Sequence, residues 1–376
     1  MARSNRVSSI LALAVLLASS AASAIEVTTG TDDLILNINP QVQPRFESDV
    51  DGPPGSAAPS GHANFDFFIR RARLLLRGTA YKQFTFALLL NAARLGERGN
   101  YNVSPTVQDV HIGYVPVKDV NIEIGLLYMP LTHAALSSAT DTSALEIPAD
   151  ILLYNNARNL RETGVQLRAL FVERRMLVRG GLYEGARNTN PPTAPALNPQ
   201  GAPLAAGMIR LNLVGDEPTY AYPGIYLDGK TRISIGVGAQ YQPHSGGLQA
   251  GTSTYNDYLA LATDLFADVA LTARTEAVLT LGVYRFDYGT GNARTGNGLH
   301  AEVGYRWGPI EPQGNFYWYN SDTKKNSFLK VAGGLNFFVQ GHRVKIQAEF
   351  ASLIANASLD TTPAVHQIVV QTQLAF

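Results

Sequence analysis

The sequence contains no cysteine, which excludes a disulfide framework, thiol catalysis and thiolate metal sites. Lysine plus arginine and aspartate plus glutamate each number 30, so there is no basic excess that would attract nucleic acid. The seven histidines are scattered, and the sequence has neither a G-x-S-x-G motif nor a His pair at helical spacing. We therefore predict a protein that is not an enzyme and that has no cofactor or metal site.

Long apolar runs are also missing. A short polar stretch with two arginines precedes the apolar run Ile10–Ala18, which is too short to span a bilayer. The small residues that follow end in an A-x-A motif at Ala24, the pattern of a secretory signal peptide. We predict a signal peptide at residues 1–24 and one continuous, exported domain at residues 25–376.

The sequence does contain a strong alternation with a period of two. Between Leu34 and Phe46 the even positions are apolar, while the odd positions after Ile35 are polar, the pattern of a strand with one apolar and one polar face. Similar alternation continues to the C-terminus, so we predict an all-β fold, a transmembrane antiparallel β-barrel of about 16 strands. Together with the signal peptide, this fold predicts a location in the bacterial outer membrane. The predicted strands lie near residues 34–46, 65–80, 83–95, 106–115, 119–128, 162–171, 174–185, 205–214, 231–241, 255–265, 268–285, 298–307, 310–320, 327–340, 342–353 and 364–376.

The links between these segments alternate between short and long, as expected for short periplasmic turns and longer extracellular loops. One link is exceptional. Gly215–Lys230 should be a periplasmic turn by its place in the order, yet it is long. The short turns are predicted around Lys82, Pro116, Glu173, Ala267, Pro309 and Gly341.

Aromatic residues fall near the ends of the apolar faces, as expected for the interfacial girdles of a membrane barrel. The last predicted strand ends at Phe376, which looks like the signal recognised by the barrel assembly machinery. We therefore expect that machinery and outer-membrane lipid as partners. The predicted girdles contain Phe84, Phe86, Tyr305, Trp307 and Phe376 at the periplasmic rim, and Phe46, Tyr128, Tyr241 and Trp318 at the outer rim.

The run Phe67–Leu74, with Gly78 after it, resembles the "RRAR…G" strand of the phosphate-selective porin O and P family. The resemblance implies a sixteen-stranded porin that assembles as a homotrimer, with its third outer loop folded into the lumen. Further pieces similar to the family follow in order at Gly125–Pro130, Arg158–Arg168, Gly181–Gly185 and Tyr226–Gly238.

One departure from the family concerns the loop from Leu131 to Asn156. Anion-selective members carry basic residues where this loop narrows the pore, but here the loop has three carboxylates and no Lys or Arg. We therefore do not transfer phosphate selectivity to this chain. The candidate constriction residues are Asp141, Glu146, Asp150, Arg158 and Arg161.

The alternation also assigns charged side chains to the lumen, since a Lys or Arg on the lipid face near mid-membrane costs about 2 to 4 kcal/mol. Arg71, Arg73 and Arg77 share one face of one strand. They predict a basic ladder opposite the acidic loop, with a transverse field between the two. The predicted channel-lining residues are Arg71, Arg73, Arg77, Arg168, Arg175, Arg179, Arg210, Arg232, Arg306, Arg343 and Lys345.

These observations favour an outer-membrane porin that works by passive diffusion of small hydrophilic solutes and ions. Two alternatives remain, an anion- or phosphate-specific channel with a basic binding ladder and, with less support, a barrel hydrolase. Gly224–Thr231 matches the Walker A pattern, but a phosphate-binding loop needs a following helix. The residues from Arg232 to Tyr241 alternate as a strand instead.

Overall fold

The computed structural model describes residues 25–28, 33–50, 64–147, 160–187, 198, 200–217, 219–249, 252, 254–324, 326–355 and 365–376. The predicted signal peptide and the candidate residues Asp150 and Arg158 lie outside these ranges. Among the described residues, no helix is long and apolar enough to cross a membrane.

The described residues form one sheet of seventeen strands, of which the first is short. The strands are β1 (Ile25–Thr28), β2 (Leu34–Val50), β3 (Asn64–Ala80), β4 (Phe84–Leu95), β5 (Thr106–Val117), β6 (Val120–Tyr128), β7 (Arg161–Phe171), β8 (Met176–Tyr183), β9 (Leu204–Val214), β10 (Arg232–Gln242), β11 (Tyr258–Thr272), β12 (Thr275–Asp287), β13 (Gly296–Trp307), β14 (Ile310–Ser321), β15 (Phe328–Gln340), β16 (Val344–Ala355) and β17 (Val365–Ala375).

The sheet closes into a barrel. Each of the sixteen strands β2–β17 pairs antiparallel with the next one in the described chain, and β17 pairs with β2, where Val370 lies opposite Phe46. The short strand β1 pairs with the first part of β2, beyond the part that β17 occupies. Because lipid offers no hydrogen-bond partner to a free strand edge, closure is what allows such a sheet to span a membrane.

The wall has the two faces that the alternation predicts. On β13, Val303, Tyr305 and Trp307 face outward and are 53%, 48% and 70% exposed, whereas His300 faces inward and is fully buried. The predicted girdle residues Phe84, Phe376, Tyr241 and Trp318 are also exposed. An apolar outer surface of this kind is suited to lipid rather than to water.

The predicted number of barrel strands is confirmed, but one predicted turn is wrong. The turn expected around Ala267 lies at residues 273–274, and β11 continues through Ala267, which pairs with Leu279 of β12. The inward positions Phe266 and Asp268 are both buried, so the alternation runs unbroken through the expected turn.

The girdle prediction is wrong for Tyr128. This residue is only 6% exposed, and its ring lies 3.8 Å below the guanidinium carbon of Arg161 inside the barrel. Tyr128 is the last residue of β6, so its side chain follows the chain as it turns inward rather than continuing the lipid-facing row.

The lipid face can be tested at Ile112, which lies at the middle of β5 and is 57% exposed. Ile112→Arg should lower the free energy of unfolding by about 2 to 4 kcal/mol, because it places a charge in lipid. Ile112→Leu should leave it nearly unchanged, since only the side-chain shape differs. Urea-dependent unfolding in lipid vesicles, followed by tryptophan fluorescence, measures the difference, and equal stability of the two variants would contradict the assigned face.

Candidate pore and its constriction

Residues 129–147, here called the inward loop, follow β6 and lie against the inner wall of the barrel. Most of their side chains are buried, among them Leu131, Thr132 and His133. The loop spans to the far side of the lumen, where Ser143 Oγ donates to Glu311 Oε1 over 2.8 Å and Lys345 Nζ donates to the Thr142 carbonyl over 2.9 Å. The inner wall thus supplies partners for the polar groups of the loop, as burial requires.

A glycine of the wall allows the inward loop to pack closely. A Cβ placed on Gly238 of β10 would lie 2.0 Å from the Leu131 carbonyl oxygen, a distance that no side chain tolerates. The residue must therefore be glycine for the loop backbone to rest directly on the strand.

The exceptional link between β9 and β10 also lies inside the barrel. We call residues 215–217 and 219–230 the long turn. In the long turn, the backbone N–H of Tyr222 donates to the Leu136 carbonyl over 2.9 Å. The Tyr222 carbonyl accepts a hydrogen bond from the N–H of Ser138 over 2.9 Å. Gly224 N–H donates to the Asp141 carbonyl over 2.7 Å. The inward loop and the long turn thus satisfy one another's backbone groups within the lumen.

Glu217 anchors the long turn to its surroundings. Its carboxylate lies 3.1 Å from His133 Nε2 of the inward loop and accepts hydrogen bonds from Ser234 over 2.7 Å and from Tyr226 over 3.0 Å. Burial opposes its ionisation, but His133, Arg210 and Ser234 together lower the pKa of Glu217 to about 2. The anchor therefore carries a negative charge at neutral pH.

Arg70 shows why strict alternation misses part of the site. In the pairing of β2 with β3, Gln43 lies opposite Arg71 and Pro44 opposite Ile69, so Arg70 occupies a β-bulge. A bulge inserts one extra residue and re-aims its side chain. Pro44 has no N–H to donate at this point of the ladder. Both Arg70 and Arg71 consequently reach the lumen, although alternation predicts that only one of them does.

Glu146 of the inward loop is held by three arginines. Its carboxylate lies 2.6 Å from Arg45 Nη2, 2.8 Å from Arg70 Nε and 2.8 Å from Arg71 Nη2. Burial disfavours its charged form, but the charges of Arg71, Arg45 and Arg70 outweigh burial and hold the pKa of Glu146 well below its usual range. Glu146 of the inward loop and Arg71, the first arginine of the ladder, are thus in contact. The sequence instead suggested that the acidic loop and the basic ladder face each other across an open gap.

Two cavities remain beside these segments. The first has a volume of about 660 Å³ and lies toward the long loops, where Arg70, Arg187 and Glu162 line it. The second has a volume of about 870 Å³ and lies toward the short turns, where Arg77 and Arg343 line it. We call them the loop-side and turn-side cavities.

The two cavities share three lining residues, Arg73, Tyr128 and Ala139. These come from β3, from the end of β6 and from the inward loop. The point where the cavities meet, here called the junction, therefore has one cation, one aromatic ring and one small residue at its edge.

Most arginines beside the cavities are engaged by carboxylates. Arg161 contacts Asp109 over 3.0 Å and Arg168 contacts Glu123 over 3.1 Å. Arg73 differs, because its Nε donates only to the neutral amide oxygen of Asn91 over 3.3 Å. No carboxylate in the described part of the chain lies within ion-pair distance of Arg73. Its positive charge is thus available at the junction.

The structure separates the predicted channel-lining residues into groups. Arg175 is wrongly placed by the prediction, because it lies in the exposed turn before β8, where its guanidinium donates to the Leu213 carbonyl. Arg232 and Arg306 are engaged by Asp228 and Glu276. Arg71, Arg73, Arg77, Arg168 and Arg343 line the cavities, whereas Arg179, Arg210 and Lys345 are fully buried against the long turn, Asp264 and the inward loop respectively.

A closed sixteen-stranded barrel with a lipid-facing apolar wall and charged cavities in its lumen is the architecture of an outer-membrane porin. Solved outer-membrane proteins have the same fold. The chain matches the channel DcaP of Acinetobacter baumannii with a TM-score of 0.60 and 9% identity, covering 93% of this chain and 99% of that one. It matches OprB of Pseudomonas putida with a TM-score of 0.64 and 8% identity, covering 91% and 94%.

OmpT of Vibrio cholerae, described in its trimer form, matches with a TM-score of 0.57 and 9% identity, covering 92% of this chain and 100% of that one. A search of curated proteins found no match to the sequence. The model of the phosphate-selective porin O and P family matches residues 41–243, more than half of the chain. The chain therefore belongs to this family and is an outer-membrane channel for passive diffusion.

Neutralising the loop acid tests its link to the arginines. Glu146→Gln should leave Arg70 and Arg71 without their carboxylate partner, leave Arg45 with Glu47 alone, and loosen the inward loop. We expect a larger single-channel conductance and a reversal potential shifted toward anions in planar bilayers. Glu47→Gln is the matched control, since Glu47 contacts only Arg45 among these arginines.

The pH dependence of the same contact follows from the lowered pKa. A carboxylate with a depressed pKa keeps its interactions above that pKa and loses them only as the pH falls through it. The difference in reversal potential between the wild type and Glu146→Gln should therefore stay constant from pH 7 down to about pH 5, which lies above the usual carboxyl range. The absence of any difference between the two proteins over this range would show that the ion pairs do not control the pore.

Proposed function

We propose that this porin passes small hydrophilic solutes with a preference for anions. The observation that carries the proposal is Arg73, a cation at the junction of the two cavities without a carboxylate partner in the described chain. A fixed charge at a narrow point lowers the barrier for ions of the opposite sign. Because Arg73 lines both cavities, a solute that moves from one to the other along this wall passes close to its charge.

The balance of charge along the cavities supports the same preference. The loop-side cavity is lined by five arginines and three glutamates, and the turn-side cavity by four arginines and three side-chain carboxylates. Because most of these groups neutralise one another in ion pairs, the excess is small. A modest preference for anions fits this balance better than strict exclusion of cations.

A phosphate-specific channel is the second candidate, favoured by the description of the family. Specific binding of phosphate would need several available cations that converge on one anion. Arg71, Arg161 and Arg168 are each already bound by a carboxylate. Within the described ranges, Arg73 and Arg77 are the arginines of the ladder without such a contact. The structure thus supports weak, shared recognition of anions more than a dedicated phosphate site.

The remaining parts of the proposal concern the route to the membrane and assembly. We propose that residues 1–24 direct export, that the last strand engages the barrel assembly machinery, and that the channel works as a homotrimer. The trimer form of OmpT from Vibrio cholerae supports the last point by its shared fold alone. In this structure Phe376 is tied to β2, since its N–H donates to the Pro40 carbonyl over 3.0 Å.

Charge reversal at the junction tests the preference. Arg73→Glu should shift the reversal potential in a salt gradient toward cations, because it replaces the available cation by an anion. Arg98→Glu is the matched control, since Arg98 lies exposed in the link between β4 and β5 and lines neither cavity. An unchanged reversal potential in Arg73→Glu would remove Arg73 from the selectivity of the channel.

Phosphate titration separates the two candidates. Conductance that rises linearly with phosphate concentration supports a general channel, whereas saturation at low phosphate that is lost in Arg73→Glu supports a specific one. A purified, folded wild-type protein without any conductance would contradict both candidates.

A further inference from the structure

We infer that Tyr220, on the long turn, sets the width of the passage between the two cavities. The inference rests on the proposed channel function and adds a second narrowing element to the inward loop. This element comes from the opposite end of the barrel, the end of the short turns.

The position of the Tyr220 side chain carries the inference. Its ring lies 5.7 Å from the ring of Tyr128 in an edge-on contact and 4.6 Å from the ring of His111 on β5. Its hydroxyl oxygen accepts the backbone N–H of Tyr128 over 3.2 Å. Because Tyr128 lines both cavities and Tyr220 lines the turn-side one, the Tyr220 ring stands directly beside the junction.

The ring is held in place from the other side by Arg179 of β8. The Arg179 guanidinium carbon lies 4.7 Å from the centre of the Tyr220 ring, and its Nη1 donates to the Tyr220 carbonyl over 2.7 Å. Tyr220 thus bridges from β5 to β8 across part of the lumen. A cation over the ring face and a hydrogen bond to the same residue restrict its motion.

The segment that carries Tyr220 is itself fixed at several points. Tyr222 pairs with the inward loop, and its ring lies 4.7 Å from the ring of His133 in a stacked contact. Glu217 binds both His133 and Ser234 of the wall. The side chain of Tyr220 therefore cannot leave the passage without breaking buried contacts, and its size limits what passes.

The effect of Tyr220 on the width of the passage can be tested by removing its ring. Tyr220→Ala should raise the single-channel conductance on the order of twofold, because resistance concentrates at a constriction. Tyr220→Phe should leave it unchanged, since the ring remains and only the hydroxyl is lost. Tyr305→Ala is the matched control, the same change at a tyrosine that faces lipid. Folding of each variant is checked by its heat-dependent mobility on gels.

Two outcomes would overturn the inference. One is a folded Tyr220→Ala variant with wild-type conductance, and the other is an equal rise in Tyr220→Phe, which would assign the effect to the hydrogen bond rather than to the ring. A wild-type protein without conductance would instead contradict the channel function, so the two failures can be told apart.

Thiol modification gives an independent measurement. The chain has no cysteine, so Tyr220→Cys introduces the single thiol of the protein. A bulky thiosulfonate reagent should reduce the conductance of this variant and leave a Tyr305→Cys variant unaffected. A fully modified Tyr220→Cys channel with undiminished conductance would place residue 220 outside the passage.

Discussion

The requirement that every backbone N–H and C=O in lipid find a partner determines this structure. A sheet meets that requirement only when its last strand pairs with its first, as β17 does with β2. Closure then gives two surfaces of opposite character, since alternate side chains of each strand face lipid or the lumen. Trp307 faces outward and His300 inward on the same strand for this reason.

Closure also creates a second demand, because a barrel of sixteen strands encloses more space than its own side chains fill. The inward loop and the long turn occupy much of that space. Their backbone groups need partners there, and they find them in each other and in wall residues such as Lys345. The path for solutes is what these two segments leave open along the wall formed by the early strands.

The alternation with a period of two was enough to predict the number of strands and most of their limits. In every strand, one face contacts lipid and the other faces the lumen, so the same pattern of apolar and polar residues recurs along the chain. Two of the differences from the prediction lie where a local feature interrupts that period. At Arg70 a bulge opposite Pro44 turns an extra side chain inward, and at Tyr128 the strand ends and the chain turns into the lumen.

The contacts between the two lumen segments could not be predicted from the sequence. The length of Gly215–Lys230 was visible as an exception, but nothing in its residues indicates where the turn would pack. Tyr220 and Glu217 acquire their roles from residues more than eighty positions away, such as Tyr128 and His133. Such pairings depend on the diameter and register of the closed barrel, which are properties of the whole sheet.

The contacts that depend on the closed barrel also include the ion pairs of the lumen. The number of charged residues in the lumen is therefore a poor guide to ion selectivity. A count of lumen arginines by itself suggests a basic channel, yet Glu146 alone engages three of them. An ion pair contributes little field beyond its immediate neighbourhood, because the opposite charges cancel at a distance. What a passing ion experiences is the charge that remains after pairing, and at the junction that charge belongs to Arg73.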